Sequence, residues 1–306
     1  MTKARVSIII LTYNSQRHMP ALFASLAKLI YPDVEVIVVD NASTDGTVDW
    51  LQHQTVRPVD QLIVNKTNVW FAQGNNQGIK VATGEYIYIC NDDIILTPTS
   101  ITRLVERMQQ DTHCAMVGGK MLKLIDGQPS KIFDSAGLIL KRSGRAVNRG
   151  EQVADTGQYD SAEEVFGITG AGMLLRRSAI TSECFDSDFV AYKEDVDLSW
   201  RLHRTGYTVW YEPTAVIYHA RSIQQTTLAG RGQKSALIRA MSYRNHIWLL
   251  FKNLSLFDWL KRLPWLLPYE CVKLGYVLIF EWSTLRMFPT MFRLLPKMIK
   301  KRQLAL

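Results

Sequence analysis

The stretch GEYIYICNDDIIL, residues 84–96, decides the fold. Residues 86–90 are an unbroken β-branched and aromatic run, too short for a helix, and read as a strand buried on both faces. That run leads directly into Asn91, Asp92 and Asp93. Two adjacent carboxylates at the mouth of a buried strand repel each other unless a proton or a cation separates them. A Mg²⁺ or Mn²⁺ ion bridged to a diphosphate would do so, because Mg²⁺ is held by one or two carboxylates together with substrate phosphates.

The same pattern repeats on the N-terminal side. Residues 6–11 form a β-branched strand that stops at Thr12-Tyr13-Asn14-Ser15, and Pro20 then opens a helix with Leu22, Leu26 and Leu29 on one face. A second buried strand, 34–39, is stopped by Asp40-Asn41-Ala42-Ser43. A third strand is expected at 62–65, a helix at 74–82, a helix at 98–110 and a strand at 115–117. Alternating strands and helices predict a mostly parallel sheet covered by helices on both faces. In such sheets ligands bind outside the carboxyl ends of the strands. Three polar clusters occupy consecutive strand ends here: Thr12 to Asn14, Asp40 to Gly46, and Asn91 to Asp93. Each alone is ordinary turn chemistry, but three in succession point to one shared site.

Residues 120–165 read as hairpins and loops. Regularity returns at 172–176, at a helix over 195–204 closed by Gly206, and at strands over 208–211 and 215–218. The helix opens with Glu194, Asp195 and Asp197, and acidic residues there complement the helix dipole. The apolar lead-in Phe189-Val190-Ala191-Tyr192 sets a carboxylate at the edge of an apolar pocket, where it is a candidate general base. Arg201 sits one turn after Asp197 and pairs with it. His219 ends the strand AVIYH and is a candidate metal ligand or phosphate contact.

Of the 306 residues, 47% are hydrophobic and 21% charged, a globular balance. The four cysteines, Cys90, Cys114, Cys184 and Cys271, are scattered and read as reduced thiols of a cytoplasmic protein. No GxxxxGK[ST] loop and no GxGxxG after a strand is present, which disfavours a P-loop ATPase or a dinucleotide dehydrogenase. The N-terminus lacks a signal-peptide pattern. The net charge of +8 is uneven: residues 252–306 hold ten Lys/Arg against three Asp/Glu, while residues 1–251 hold 26 against 25. A neutral body with a basic, aromatic tail suggests an anionic membrane surface and not nucleic acid.

In order, VSIIILTYN, VEVIVVDNASTDGT, GEYIYICNDDIIL, GITGAGMLLRR and FDSDFVAYKEDVDLSWRLHRTGYTVWYEPTAVIYH resemble the family 2 glycosyltransferases, especially bacterial rhamnosyltransferase-like members. Five such pieces in one order are highly specific. The resemblance runs from about Val6 to His219 and implies a GT-A fold, an α/β Rossmann-like architecture. It further implies that Thr12, Asn14 and Asp40, with Asn41 and Asp92 beside them, contact the nucleotide. Asn91, Asp92 and Asp93 fall on the family's D-x-D-type motif, with Asp93 as metal ligand, Asn91 and His219 assisting. Glu194-Asp195 matches the ED motif, whose second member is the usual catalytic base. NVWFAQGNNQG, residues 68–78, is similar to the family segment N-x-G-F-x-x-G-x-N-x-G, with Trp70 replacing its first glycine; Asn68 and Asn76 are carried over as donor contacts.

The implied activity is inverting, metal-dependent transfer of a sugar from a nucleoside diphosphate to a glycan or polyprenyl-linked acceptor in cell-surface polysaccharide synthesis. dTDP-L-rhamnose is the leading donor. The rivals are a sugar-1-phosphate nucleotidyltransferase, for which TYNSQRHMP lacks the glycines of a triphosphate loop, and a non-catalytic carbohydrate-binding protein. The expected domains are a catalytic unit over 1–225, divided into a nucleotide-sugar half (1–118) and an acceptor half (119–225), and a helical region over 226–306 that associates with the inner face of the cell membrane or forms a homodimer. Within that region Pro264, Pro268, Glu270 and Lys273 interrupt the best apolar run, 263–280, so a spanning helix is not expected there.

Overall fold

The computed structural model describes residues 4–181, 183–220 and 235–302. β1 (Val6–Thr12), β2 (Val34–Asp40), β3 (Gln61–Val64) and β4 (Tyr86–Asn91) run parallel in the order β3-β2-β1-β4. Strand order reverses between β1 and β4, which opens a crevice at their carboxyl ends. Thr12 lies opposite Asp40 and Leu11 opposite Asn91, so the three strands finish level. β11 (Gly172–Arg176) then lies antiparallel between β4 and β6 (Cys114–Ile125), and β6 pairs in parallel with β12 (Thr208–His219). His219 therefore ends on the same edge of the sheet as Thr12, Asp40 and Asn91. β5 (Ile94–Leu96) returns antiparallel to β12 and puts Ile94 opposite His219.

Alternate residues of each strand feed two cores, as a two-residue period requires. Ile8, Ile10, Val36, Val38 and Tyr88 face α1 (Met19–Leu26), α2 (Thr47–His53) and α4 (Ser100–Gln110). Ile9, Ile37, Ile87 and Ile89 face α3 (Trp70–Val81) and α5 (Glu194–Arg204). A Cβ on Gly74 or Gly78 would lie 2.4 Å from Leu11 Cδ1 or 2.5 Å from Ile9 Cγ2, so these glycines let α3 ride directly on β1.

Several elements differ from the sequence expectation. α3 starts at Trp70 and not near 74, because the Asn68 Oδ1 accepts from the Trp70 N–H at 2.8 Å and holds Trp70 at φ 65°. The loop region holds the long β6, β7 (Gln128–Ser135), the separate hairpin of β8 (Leu138–Leu140) and β9 (Ala146–Asn148), and β10 (Glu163–Glu164). The two expected C-terminal strands are one, β12, with an irregularity between Glu212 and Val216 that absorbs Pro213. The domain boundary expected between 221 and 232 lies outside the described residues.

The C-terminal part forms α6 (Ala236–Asn253), α7 (Leu256–Phe280), α8 (Trp282–Leu285) and α9 (Phe288–Lys301). α7 is continuous for 25 residues despite Pro264 and Pro268, and it is long and apolar enough to cross a membrane. The prolines stand four residues apart on one exposed face, so the Leu260 and Pro264 carbonyls they leave unbonded lie on the outer side of the helix. Glu270 and Lys273 occupy the opposite stripe with the buried Leu266 and Val277: Glu270 Oε1 is 2.6 Å from His246 Nε2, and Lys273 Nζ lies 4.5 Å from the centre of the Tyr243 ring. The charges that interrupt the apolar run therefore point into α6.

Candidate active site

The crevice is built from three loops tied to one another. Asp40, fully buried, accepts from Thr12 Oγ1 at 3.0 Å and from the Ser43 N–H at 2.9 Å. Asn14 stands at φ 53°, its N–H donating to Ser43 Oγ and its Oδ1 accepting from the Thr44 N–H, both at 2.8 Å. Asp92 accepts from Ser15 Oγ. Burial and the neighbouring Asp93 charge push the Asp92 carboxyl up to about 6, against that hydrogen bond. Carboxylate pair and strand ends thus share one mouth.

His219 joins the end of β12 to this mouth. Its Nε2 is 3.1 Å from Asp93 Oδ1, and its Nδ1 is 2.8 Å from Oδ2 of the fully buried Asp134 on β7. Burial would lower the imidazole, but the hydrogen bonds and charges of Asp134 and Asp93 raise it to about 9. Burial likewise opposes Asp93, and the His219 hydrogen bond and charge bring its carboxyl below the ordinary value. Asp134 was not legible in the sequence, because it stands 85 residues before His219 on a strand read as loop.

The described residues contain no cluster of three or more His, Cys, Asp or Glu side chains able to hold a metal alone. The donor set nevertheless fits a divalent cation shared with a diphosphate. Asp93 and His219 touch, and Asp134 fixes the imidazole through its other nitrogen, as outer carboxylates do for metal-bound histidines. Asn91 contributes its backbone here: its N–H donates to the Ala171 carbonyl at 3.0 Å.

That bond leads to the second acidic cluster. The next residue back, Gly170, donates its N–H to Asp195 Oδ2 at 3.0 Å, while the Val196 N–H donates to Oδ1 at 2.8 Å. Asp195, half-buried at the start of α5, is thereby aimed from two sides. The two carboxyls of the pair are not equivalent. Glu194 is buried, its Oε2 finds no hydrogen-bond partner among the described residues, and desolvation with the Asp195 charge holds its carboxyl well above the ordinary value. Of the two carboxyls, Glu194 is the buried one and Asp195 the partly exposed one.

Three other expected contacts are spent on the scaffold. Asn41 donates to the Trp70 carbonyl at 3.3 Å and accepts from Asn65 at 3.1 Å. Asn68 caps α3. Asn76 exchanges hydrogen bonds with the Phe185 carbonyl (2.7 Å) and N–H (2.9 Å). These asparagines tie the loops of the crevice wall together.

The approach to Asp195 is strained: Val190, Tyr192 and Lys193 stand at φ 67°, 70° and 77°. β-Branched and aromatic residues adopt such angles only when their surroundings impose them. The surroundings here come from α6. The buried Asn245 Nδ2 lies 2.7, 2.9 and 2.8 Å from the carbonyls of Phe189, Ala191 and Tyr192. Lys252 Nζ bridges Asp186 Oδ2 (2.6 Å) and Asp197 Oδ2 (2.8 Å), and Asn253 Nδ2 meets Asp197 Oδ1 at 3.0 Å. Asp197 also takes the expected Arg201 bond at 2.9 Å. Lys297 and Lys301 of α9 pair with Asp188 at 2.7 and 2.6 Å. Part of the basic tail thus neutralises acids of the segment that carries Asp195. A surface hollow of 490 Å³ lined by Glu164, Phe166, Trp200 and His203 lies away from these strand ends.

A switch-point crevice edged by a carboxylate turn and a carboxylate at a helix start defines a GT-A-type site. The chain belongs to glycosyl transferase family 2, whose model matches residues 7–180. The poly-β-1,6-N-acetyl-D-glucosamine synthase of Staphylococcus epidermidis is 24% identical over 222 residues, 70% of this chain and 49% of the relative. The enzyme of the same name from Staphylococcus aureus is 25% identical over 218 residues, with the same coverage. The chain spans about half the length of these curated relatives. Among solved structures, S. aureus TarS 1–349 in complex with UDP superposes with a TM-score of 0.55 at 18% identity, covering 81% of this chain and 64% of that one. The mannosyltransferase PcManGT of Pyrobaculum calidifontis, in complex with GDP-Man and Mn²⁺, gives 0.56 at 15% identity, covering 99% and 85%. These likenesses establish the fold.

Proposed function

We propose that this chain transfers a sugar from a nucleoside diphosphate to an acceptor hydroxyl, with inversion, and that Asp195 is the general base. The observation that carries the reading is the placement of Asp195, held by the Gly170 and Val196 N–H groups on a loop bonded to the Asp92–Asp93 turn. The nucleotide lies over Thr12, Asn14 and Asp40, its diphosphate toward Asp92 and Asp93. Asp195 takes the proton of the attacking hydroxyl, and the carbon–oxygen bond to the diphosphate breaks on the opposite face. Asp93 and His219 would hold a Mg²⁺ or Mn²⁺ ion, which when bound supplies positive charge to the departing diphosphate. Family membership sets aside the nucleotidyltransferase reading, and an intact Asp93 and Asp195 speak against a binding-only protein.

For the donor, sequence resemblance favours dTDP-L-rhamnose. A UDP-N-acetylhexosamine is the second reading, supported by the glucosamine-polymer synthases among the relatives and by the TarS complex with UDP-GlcNAc. A thermal-shift panel of nucleotide sugars with Mn²⁺ tests the proposal. A true donor at about 100 times its dissociation constant adds about 2.7 kcal/mol, and a flat response to every nucleotide sugar would sink it.

The acceptor is proposed to be a glycan or lipid-linked sugar met at an anionic membrane surface on the cytoplasmic side. Leu256, Phe257, Leu260, Val272, Phe280 and Trp282 are 64–74% exposed, far more apolar surface than a soluble face carries. Lys261, Arg286, Arg293 and Lys300 are exposed among them, and cations there are drawn to anionic headgroups. Because α7 keeps its charged stripe on α6, this region is read as lying in the interface.

A further inference from the structure

α3 runs antiparallel to β1 and in step with it. Gly78 lies over Ile9 and Gly74 over Leu11, because four residues of helix and two of strand each advance about 6 Å. Four residues further back, the same step carries Trp70, the first residue of α3, past Thr12 and over the mouth formed by the strand ends. Two hydrogen bonds fix this placement. The Trp70 carbonyl accepts from Asn41 Nδ2 at 3.3 Å, on the loop after Asp40, and the Ala72 N–H donates to the Val190 carbonyl at 3.1 Å, on the approach to Asp195. Phe71, between them, closes on a further loop: a Cβ on Gly170, whose N–H holds Asp195, would lie 2.9 Å from Phe71 Cζ. Trp70 therefore stands between the loop proposed for the nucleotide and the segment that carries Asp195.

Tryptophan is a costly residue for this position. At φ 65° a glycine or an asparagine is at ease, whereas a bulky ring is strained and persists where its side chain is used. Packing does not repay the strain. The half-buried indole belongs to none of the three hydrophobic clusters, and among the described residues it has no ring, cation or hydrogen-bond partner. Each of the other seven tryptophans has one: Trp50 meets Phe23, Trp200 Phe166, Trp210 Arg107, Trp248 Phe189, Trp259 Phe251 and Trp265 Arg142, and Trp282 donates to the Ile279 carbonyl. A flat, unoccupied aromatic face is thus held at the crevice by a backbone that disfavours it.

We infer that Trp70 is the platform for the transferred sugar and a determinant of which sugar is accepted: its indole packs against the C–H face of the pyranose. This deepens the transferase reading and rests on it. A donor whose nucleotide lies at Asp40 and whose reacting carbon lies before Asp195 spans the interval that Trp70 occupies, and its sugar is the part that falls there. The ring buries the apolar face of that sugar. A sugar that turns an axial hydroxyl onto the indole gives up a hydrogen bond to water and gains none. The platform therefore discriminates among donors that share one nucleotide.

The test is calorimetric titration of the full chain, with Mn²⁺, by three pairs of ligands: UDP and UDP-GlcNAc, dTDP and dTDP-L-rhamnose, GDP and GDP-mannose. For the pair that the wild type binds, Trp70→Asn should keep its affinity for the nucleoside diphosphate and bind the nucleotide sugar roughly 10-fold more weakly. Trp70→Phe, which keeps a flat ring, should stay within roughly 3-fold of wild type for both. Trp70→Asn and Trp70→Gly should melt no lower than wild type, because both relieve the strained φ. Affinity for the nucleotide sugar that Trp70→Asn retains overturns the inference and leaves the transferase reading standing. An equal loss of both ligands, with both variants melting lower, also overturns it and makes the indole a packing residue. A wild type that binds none of the six ligands removes the transferase reading and the inference with it.

Discussion

His219 Nε2 stands 3.1 Å from Asp93 Oδ1, so the last strand of the sheet ends on the carboxylate turn that follows the fourth. Behind it, Asp134 holds the other ring nitrogen. If His219 serves a metal, Asp134 sets its tautomer and orientation. Asp134→Asn should then weaken Mn²⁺ binding by 10–100-fold, the usual cost of losing such a partner, with the sheet intact. Calorimetric titration of Mn²⁺ in the presence of the nucleoside diphosphate measures it. Unchanged affinity in Asp134→Asn would reduce the Asp134–His219 pair to a fold contact.

If Asp195 is the base, Asn245 positions it. Its side chain holds the carbonyls of Phe189, Ala191 and Tyr192 in the strained approach to Asp195. Asn245→Ala should lower kcat by roughly 10–100-fold through misplacement of Asp195 while changing the KM for the donor little, because the nucleotide sits on the other loops. Equal losses in kcat and donor KM would mark Asn245 as a general packing residue.

The grip of Lys252 and Lys301 on Asp186 should appear as a pH-dependent stability. Burial would raise the Asp186 carboxyl, but the charges and hydrogen bonds of Lys252 and Lys301 lower it to about 2. The folded value lies below the unfolded one, near 4, so the unfolded chain binds the extra proton between them. The contribution, about 2 kcal/mol, is complete above pH 4 and fades as the pH falls toward 2. Asp186→Asn should therefore be less stable than wild type at pH 7, and the gap should close by pH 2 in denaturant melts. A gap that persists at pH 2 would show that packing, and not charge, is lost.

The strand-end clusters were legible because each belongs to a short apolar run that stops abruptly in polar residues, and a parallel sheet brings such ends to one edge. Asp93, Asp195 and His219 follow from that rule together with the family resemblance. Asp134, Asn245 and Lys252 do not, because their partners lie between 53 and 85 residues away and no local period links them. The continuity of α7 is hidden for a related reason: along the sequence the prolines and charges interrupt a linear run, whereas on the helix they fall on two separate faces, the prolines outward and Glu270 and Lys273 toward α6. The tail's charge reads in the sequence as a membrane signal, yet Lys252, Lys297 and Lys301 are committed to Asp186, Asp188 and Asp197.

The most direct measurement is turnover of the donor by Asp195→Asn, once the nucleotide-sugar panel has identified that donor. Asparagine keeps the size of the side chain, and its single amide oxygen can still accept from one of the Gly170 and Val196 N–H groups, but it cannot take a proton. The account predicts unchanged binding of the nucleotide sugar with kcat for transfer reduced by roughly 10²–10⁴-fold, and a much smaller loss for Glu194→Gln. Near wild-type transfer by a folded Asp195→Asn protein, or a larger loss in Glu194→Gln, would contradict it.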